Sequence, residues 1–501
     1  MVGAAEGRSR SALRAAGTVA VPVEFGKALS AAPTPIPGLV IYQLPVHGDS
    51  RGWFKENWQR EKMTAIGLPD FGPVQNNISF NDATGTTRGI HAEPWDKWVS
   101  VATGRIFGAW VDLREGDTFG AVFTAELDPS VAIFVPRGVG NSYQTLEENT
   151  AYAYLVNDHW SADAQSQYTF LNLADEASGI EWPIALDDAE VSDKDKAHPR
   201  LAEVVPMKPK KTLVLGANGQ VGRALKKLLP DATAVTRAEF DITDPIAYAE
   251  FPWAQYDTVI NAAAYTKVDE AETEQGRKDA WAINVTATAL LASAAIEHRL
   301  TLVHISSDYV FDGSSEEHDE NEPLTPLGVY GQTKAAGDAI VCTVPKHFIV
   351  RTSWVIGDGT NFVRTMAALA ERGINPSVVD DQFGRLSFAD DIAAGIVHLL
   401  ERVESRQARS TEGGEAGFGV YNLSNGGKPQ SWAEIARSVF ELSGHAPDRV
   451  TGVSTADYFA GKAAAPRPVH SSLALRKMIA TGFEPRDART ALAAYLSGAP
   501  E

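Results

Sequence analysis

At 501 residues the chain exceeds one ordinary domain and is long enough to bury two separate cores. Its 44% hydrophobic and 22% charged content are those of a soluble globular protein. The formal net charge of −19 argues against a nucleic-acid partner, because phosphate binding wants a basic surface.

Residues 1–34, rich in Ala, Arg, Ser and Gly without a continuous apolar core, are expected to be a mobile tail. No stretch reads as a membrane span. The single cysteine, Cys342, excludes an internal disulfide framework, suits the cytoplasm, and is expected to be a small apolar filler in a helix. From 35 to 205 short β-rich runs follow one another, among them Val40-Ile-Tyr42, Arg105–Asp112, Ala132-Ile-Phe-Val135 and Ala151–Val156. Gly, Pro, Asp and Asn punctuate them, which predicts an antiparallel all-β sandwich or barrel.

Arg88-Gly-Ile-His91, Lys97, Tyr154 and Asp195 are the chemical candidates in this half. A carbon acid beside a ketone needs a base on one face, a donor on the other and a positive charge near the enolate oxygen. His91 serves as base, Asp195 orients it, Tyr154 is the opposite-face acid, and Lys97 or Arg88 holds the oxyanion. The alternative is that His91 is a structural strand histidine. No metal site is expected: a His-x-His pair is missing, and His159 is the only histidine between His91 and His198.

These residues, with Gly48–Glu56, Val74–Asn77, Gly179–Pro183 and Ser192–Asp195, resemble the dTDP-4-dehydrorhamnose 3,5-epimerases in motif order. The resemblance implies a jelly-roll, cupin-like double-stranded β-helix. It also implies that Arg51, Glu56, Gln75 and Asn77 contact nucleotide or phosphate, with Trp53 packing on the base. Asn141 stands where a second pocket histidine is common, Gln165 stands where Glu is common, and the loop from His91 to Lys97 is short. A degenerate or single-position epimerase is therefore the alternative for this half.

Val204-Val-Pro-Met-Lys-Pro-Lys-Lys211 follows, and 206–210 is expected to be a linker. From 211 to 501 strands alternate with helices, which predicts βαβ units and a parallel sheet. Strand Thr212–Leu215, the loop Gly216-Ala-Asn-Gly219-Gln220-Val221-Gly222 and then a helix make a dinucleotide site: glycines let the turn approach a pyrophosphate and the helix N-terminus offers donors. Ala262, Ala263 and Ala264 end the next long strand in the same way. Arg237 is placed to meet a 2′-phosphate, favouring NADPH with NADH possible, or is a solvated surface arginine. Asp241 borders the adenine end or caps a loop. Glu412–Gly419 reads as a glycine-rich loop.

Tyr330-Gly-Gln-Thr-Lys334 has the i,i+4 spacing that puts phenol and ammonium on one helix face, where a cation favours phenolate. Ser307, or Ser306, can donate to the same substrate oxygen. With Asn261–Glu272, Ser307–Gly313, Arg351–Trp354, Asp381–Gly384 and Arg467-Pro468, this half resembles the dTDP-4-dehydrorhamnose reductases, which are extended short-chain dehydrogenases. The resemblance implies a Rossmann-type domain with a small sugar-binding subdomain. Tyr330 is then the acid, Lys334 holds the ribose and tunes Tyr330, Ser307 polarises the C4 carbonyl, and Trp354 and Arg467 lie along the dTDP-sugar. Arg385-Leu-Ser departs from the small residue, Pro and Thr common at that point. A nucleotide-bound regulatory subunit and a 4,6-dehydratase or 4-epimerase are the competing readings. A homodimer is expected from the relatives, and a divalent ion in this half is left open.

Overall fold

A computed structural model describes residues 24–161, 163–408 and 417–498, which fall into two compact units dividing between Lys208 and Pro209. In the first unit, one six-stranded sheet runs in spatial order Ser30–Pro33, Val40–Gln43, Val131–Val135, Lys97–Thr103, Thr150–Val156, Gln75–Asn81. The second runs Thr169–Phe170, Thr86–Ala92, Val139–Thr145, Ile106–Asp112, Val122–Leu127, and Glu190–Val191 joins Thr86–Ala92 in parallel. All other pairings within these two sheets are antiparallel. Val131–Val135 and Val139–Thr145 are buried along their whole length, whereas Gln75–Asn81 alternates. Side chains of period two therefore meet in a core containing Val99, Trp110, Ile133 and Tyr152.

In the second unit a six-stranded parallel sheet runs Thr233–Val235, Lys211–Leu215, Tyr256–Asn261, Thr301–Ser307, His347–Thr352, Gly419–Asn422. Alternate residues serve opposite faces. Leu213, Leu215, Val259 and Leu302 pack on Ala287, Leu291 and Ala295; Val214, Ile260, Val303 and Val350 pack on Val221, Leu225, Ile392 and Ile396. The first strand of this unit in chain order, Lys211–Leu215, sits between the second and third. The order thus reverses beside Lys211–Leu215, which opens a crevice at the carboxyl ends of the strands. A third core gathers Val363, Phe388, Val439 and Phe440 from helices Phe362–Glu371 and Trp432–Leu442 and their neighbours.

Several expectations change. Residues 1–23 of the expected tail lie outside the described residues, but Ser30–Pro33 is an edge strand because it finds the open side of Val40–Gln43. Within the expected linker Met207 is buried; its N–H donates to the Leu113 carbonyl at 2.8 Å, and its carbonyl accepts from Glu115 N–H at 3.0 Å. An apolar side chain beside an open strand end was enough to pin it. Cys342 is an exposed helix C-cap rather than a filler. The continuous helical run Glu274–Glu297 is long and apolar enough, by length and composition, to cross a membrane. Its apolar residues Ala287, Leu291, Ala292 and Ala295 are buried against the parallel sheet. Most of the glycine-rich stretch 412–419 lies outside the described residues.

Candidate active sites

Tyr330 and Lys334 lie on helix Val329–Val341, both buried, facing the carboxyl end of Thr301–Ser307. Ser307 draws the buried Tyr330 phenol downward, whereas Ser306, whose Oγ is buried without a hydrogen-bond partner, bears on Asp338; Ser307 is therefore the strand-end hydroxyl that faces the phenol. Ser307 Oγ also donates to Asp308 Oδ1 at 3.0 Å, and burial pushes the Asp308 carboxyl up to about 6. Burial pushes the Tyr330 phenol up to about 12, with Ser307 opposing. The expected tuning by a lysine cation is not what this arrangement shows. Lys334 Nζ instead donates to the Ile305 carbonyl at 2.7 Å and lies 3.3 Å from His304 Nε2, and burial brings it down to about 8.

The glycine loop closes on the neighbouring strand end. Gly216 has φ +77°, and a Cβ there would stand 2.7 Å from Ala263 N; a Cβ on Gly222 would stand 2.2 Å from the Gly216 carbonyl oxygen. Helix Gln220–Leu228 starts at Gly219 without a side-chain cap, so its first N–H groups stay open, and Gln220 Oε1 is buried without a partner. This cradle fits a pyrophosphate. Gly222→Ala is expected to destabilise the second unit by about 1–3 kcal/mol, read as a lowered Tm with weaker dinucleotide binding. Ala217 N–H donates to the Val235 carbonyl at 3.1 Å, which brings the end of Thr233–Val235 beside the loop. Two residues on, Arg237 is exposed and its Nε donates to Asp241 Oδ2 at 3.1 Å; Asp241 Oδ1 also accepts from Thr243 N–H and Oγ1. Ala262 and Ala263 are half-buried and Ala264 is exposed.

Arg467 grips Asp269 through both carboxylate oxygens at 2.8 Å, stacks over Phe459 at 4.5 Å, and lies close enough to Tyr309 to pull its phenol downward against burial. Tyr309 meets the Tyr330 ring edge-on at 5.5 Å, so Arg467 belongs to the same neighbourhood. Trp354 does not stand free in a cleft. Its ring stacks on Trp432 at 3.8 Å and covers Gly384, whose missing Cβ makes room for it. Arg385 reaches the Gly427 and Leu473 carbonyls and Glu317, which accounts for an arginine at that departure.

In the first unit His91 Nε2 lies 2.9 Å from Asp195 Oδ1, and Gly89 N–H points at Oδ2 from 3.4 Å. Asp195 sits on the short helix Asp193–Lys196, capped by Ser192. Burial raises its carboxyl, but the His91 hydrogen bond and charge outweigh this and leave it below the usual carboxylate range. Lys97 is buried and paired with Glu93 Oε1 at 2.8 Å, 5.6 Å from the centre of the Tyr154 ring. Burial, then Glu93, pushes the Tyr154 phenol up to about 12, while Arg88 pulls it down. Lys97, Glu93, Tyr154 and Arg88 share one neighbourhood, and the dyad connects to it through Phe170, which His91 meets at 5.5 Å, and Tyr168, which Glu93 and Tyr154 both influence. Gln75 Nε2 donates to Asn77 Oδ1 at 2.8 Å on the strand that pairs with Tyr154's.

Arg51 and Glu56 are not brought to the dyad. Arg51 is exposed and pairs with Asp49; Glu56 accepts from Lys62 at 2.6 Å. They belong to or flank the hairpin Val46–Asp49 and Gly52–Lys55, which joins neither six-stranded sheet and leaves Trp53 and Phe54 exposed. Asn141 stands opposite His91 on the neighbouring strand; its side chain accepts from Trp110 Nε1 at 2.9 Å and donates to the Tyr152 hydroxyl at 3.0 Å. Sequence reasoning missed Glu93 and His198. His198 Nε2 is 3.8 Å from Asp195 Oδ1, and its ring stacks on Phe170. The i,i+3 spacing from Asp195 was the available signal. His91, Asp195 and His198 place one ligand atom each within 4.8 Å of one another, a grouping the expectation of no metal site overlooked because only local His-x-His spacing was considered.

A phenol–hydroxyl pair with a nearby lysine over a parallel sheet, and an imidazole–carboxylate dyad in an antiparallel one, define an oxidoreductase joined to an isomerase. Residues 33–203 match the family model for dTDP-4-dehydrorhamnose 3,5-epimerase, and residues 210–499 match that for the RmlD substrate binding domain. A protein named RmlC homolog from Streptococcus pyogenes is 54% identical over 180 residues, covering 35% of this chain and 90% of that protein. A dTDP-4-dehydrorhamnose reductase from Aggregatibacter actinomycetemcomitans is 37% identical over 297 residues, covering 56% and 96%. The crystal structure of dTDP-4-dehydrorhamnose reductase from Bacillus anthracis in complex with NADP is similar at 31% identity and TM-score 0.51, covering 58% and 99%. The chain belongs to the dTDP-4-dehydrorhamnose 3,5-epimerase family through its first unit and to the dTDP-4-dehydrorhamnose reductase family through its second.

Proposed function

We propose that the two sites perform consecutive steps of dTDP-L-rhamnose synthesis: epimerisation of dTDP-4-keto-6-deoxyglucose at C3 and C5, then reduction of the C4 ketone. The observation that carries this reading is the coexistence of the His91–Asp195 dyad with the buried Tyr330–Ser307 pair, each in a unit that belongs to the matching family. His91 removes the proton beside the ketone, Asp195 holds the imidazole and stabilises its cation, and Tyr154 delivers a proton from the other face. Lys97, with Arg88 nearby, bears the enolate charge. Gln75 and Asn77 hold the nucleotide end.

In the second unit a bound dihydronicotinamide supplies hydride; Gly216, Gly219, Gln220, Val221, Gly222 and Ala262–Ala264 hold its pyrophosphate and ribose side. Tyr330 gives its proton to the C4 oxygen while Ser307 hydrogen-bonds that oxygen. Lys334 serves the ribose, and Arg467 the nucleotide-sugar. NADPH is the preferred donor, supported by the NADP complex of the similar reductase. For Arg237 to reach a 2′-phosphate it must exchange its exposed Asp241 partner, an exchange that costs little at such a surface pair.

The finer folds we infer are a cupin-like double-stranded β-helix for the first unit, and a Rossmann-type domain with a small sugar-binding subdomain built on the third core for the second. A homodimer is supported by Ile78 and Phe80, 66% and 56% exposed on the edge strand Gln75–Asn81, and by the projecting hairpin. A partner's hairpin would bring Arg51 and Glu56 to a pocket they do not reach within one chain. We place the enzyme in the cytoplasm, a reducing compartment that a single cysteine suits.

Supplied with dTDP-4-keto-6-deoxyglucose and NADPH, the full chain is expected to oxidise NADPH and release dTDP-L-rhamnose. NADPH oxidation without solvent deuterium at C3 and C5 would leave a reductase with a degenerate epimerase half. No oxidation at all would overturn the reading.

A further inference from the structure

His304 is buried in the middle of the reductase unit, 1% exposed, and no step above uses it. Its strand, Thr301–Ser307, lies between Tyr256–Asn261 and His347–Thr352. Nδ1 is 3.2 Å from Asn261 Nδ2, and Nε2 is 3.3 Å from Lys334 Nζ. The Asn261 amide has its orientation set from the other side, because its Oδ1 accepts the Ala263 N–H at 3.2 Å. Turning the amide over would aim an NH2 at that N–H. Asn261 therefore donates to His304 Nδ1, Nδ1 accepts, and a neutral ring carries its proton on Nε2. Burial and the neighbouring lysine keep the ring neutral, well below the ordinary histidine range.

The consequence falls on Lys334. An Nε2–H facing an ammonium is donor against donor; facing an amine, it is a hydrogen bond into the nitrogen lone pair. Lys334 keeps one firm acceptor, the Ile305 carbonyl at 2.7 Å. The charged groups around it are few. Asp338 on its own helix favours the cation but is itself tied to Arg351 on the next strand at 3.0 Å; Tyr330 is on the same helix. Gly337 lets its helix approach the Asn284 carbonyl oxygen, which a Cβ there would meet at 2.8 Å, and leaves Nε2 at ordinary contact distance, 3.5 Å.

Building on the reductase reading above, we propose that His304 is a positioning residue, which offers its Nε2–H to Lys334 and, through Asn261 and Ala263, ties that lysine to the strand end where the dinucleotide binds. Lys334 then exchanges its proton near neutral pH instead of standing as a permanent cation. Its value of about 8 agrees with this, burial lowering it and Asp338 raising it.

Full-length His304→Leu, which removes the donor, and His304→Gln, which can turn an oxygen to the lysine, test the idea. The kcat of NADPH oxidation is followed from about pH 6 to about pH 10, with KM for the sugar and Tm measured alongside. The limb set by Lys334 is expected to move upward in both variants, by about one pH unit or more, further for Gln, with KM for the sugar changed less than about 3-fold. An unmoved limb in variants that melt like the parent overturns the proposal, and so does a downward shift. Should the variants fail to fold, 15N chemical shifts of the histidines in the unaltered protein decide: His304 is expected in its Nε2–H form, and the Nδ1–H form overturns the proposal. That readout needs no catalysis, so failure of the reductase reading, seen as no NADPH oxidation by the unaltered protein, stays separate from failure of this one.

Discussion

Tyr330→Phe is expected to lower NADPH oxidation by about 10²- to 10⁴-fold while leaving solvent deuterium uptake at C3 and C5 unchanged. The substitution removes one oxygen. The ring keeps its edge contact with Tyr309 and its place among Tyr265, Ala271 and Val329. What goes is the phenol beside Ser307, and with it the proton for the C4 alkoxide. A net hydrogen bond contributes about 0.5–1.5 kcal/mol, so Tm should fall only slightly. Because burial has pushed the phenol up to about 12, it stays protonated at neutral pH and is a ready donor. The reading is lost if the phenylalanine variant reduces the ketone at the parent rate.

His91→Asn should produce the complementary pattern. Deuterium exchange at C3 and C5 is expected to drop by about 10²- to 10⁴-fold, whereas reduction of substrate epimerised beforehand continues. Asparagine still offers Asp195 a hydrogen bond but is no base. The swap also removes the partner that holds the Asp195 carboxyl below its usual range against the effect of burial. A depressed native value means stability that is present above about pH 3.9 and lost as pH falls through the native value. The Tm gap between parent and variant should therefore be widest above that pH and narrow in acid. Parent-like exchange in the variant would remove His91 from the role of base. Selective loss at only one carbon would show that another group works at the other, and His198, 3.8 Å from Asp195, is the nearest candidate.

What local pattern governs was legible. The glycine loop between strand and helix and the i,i+4 pair Tyr330 and Lys334 each depend on residues a few positions apart. Strand Gln75–Asn81, which exposes Ile78 and Phe80 and turns polar side chains inward, was not foreseen. His91 with Asp195 was legible too, although 104 positions separate them, because each sits in a recognisable stretch. The partners of Lys97 and Lys334 were not. Glu93 is four residues from Lys97, a spacing that carries no signal in a region of strand and loop; the buried pair forms because both side chains turn inward there. His304 reads as one polar residue in an apolar strand, and nothing local says that its ring will take Lys334 away from the expected phenol.

The amino-acid order by itself determined that there are two units, one rich in short strands and one alternating strand with helix, and which residue types carry chemistry in each. Periodicity and turn chemistry are local properties of the chain, and they survive without knowledge of the neighbours. Only the tertiary structure decided that Met207 is pinned to the first unit, that Trp354 is stacked away on Trp432, that Arg51 stays on an unpaired hairpin, and that His198 joins the dyad. Those outcomes depend on sheet register and on which buried polar groups find partners. A one-residue change of register turns each side chain of a strand to the opposite face, so they are properties of the assembled sheets.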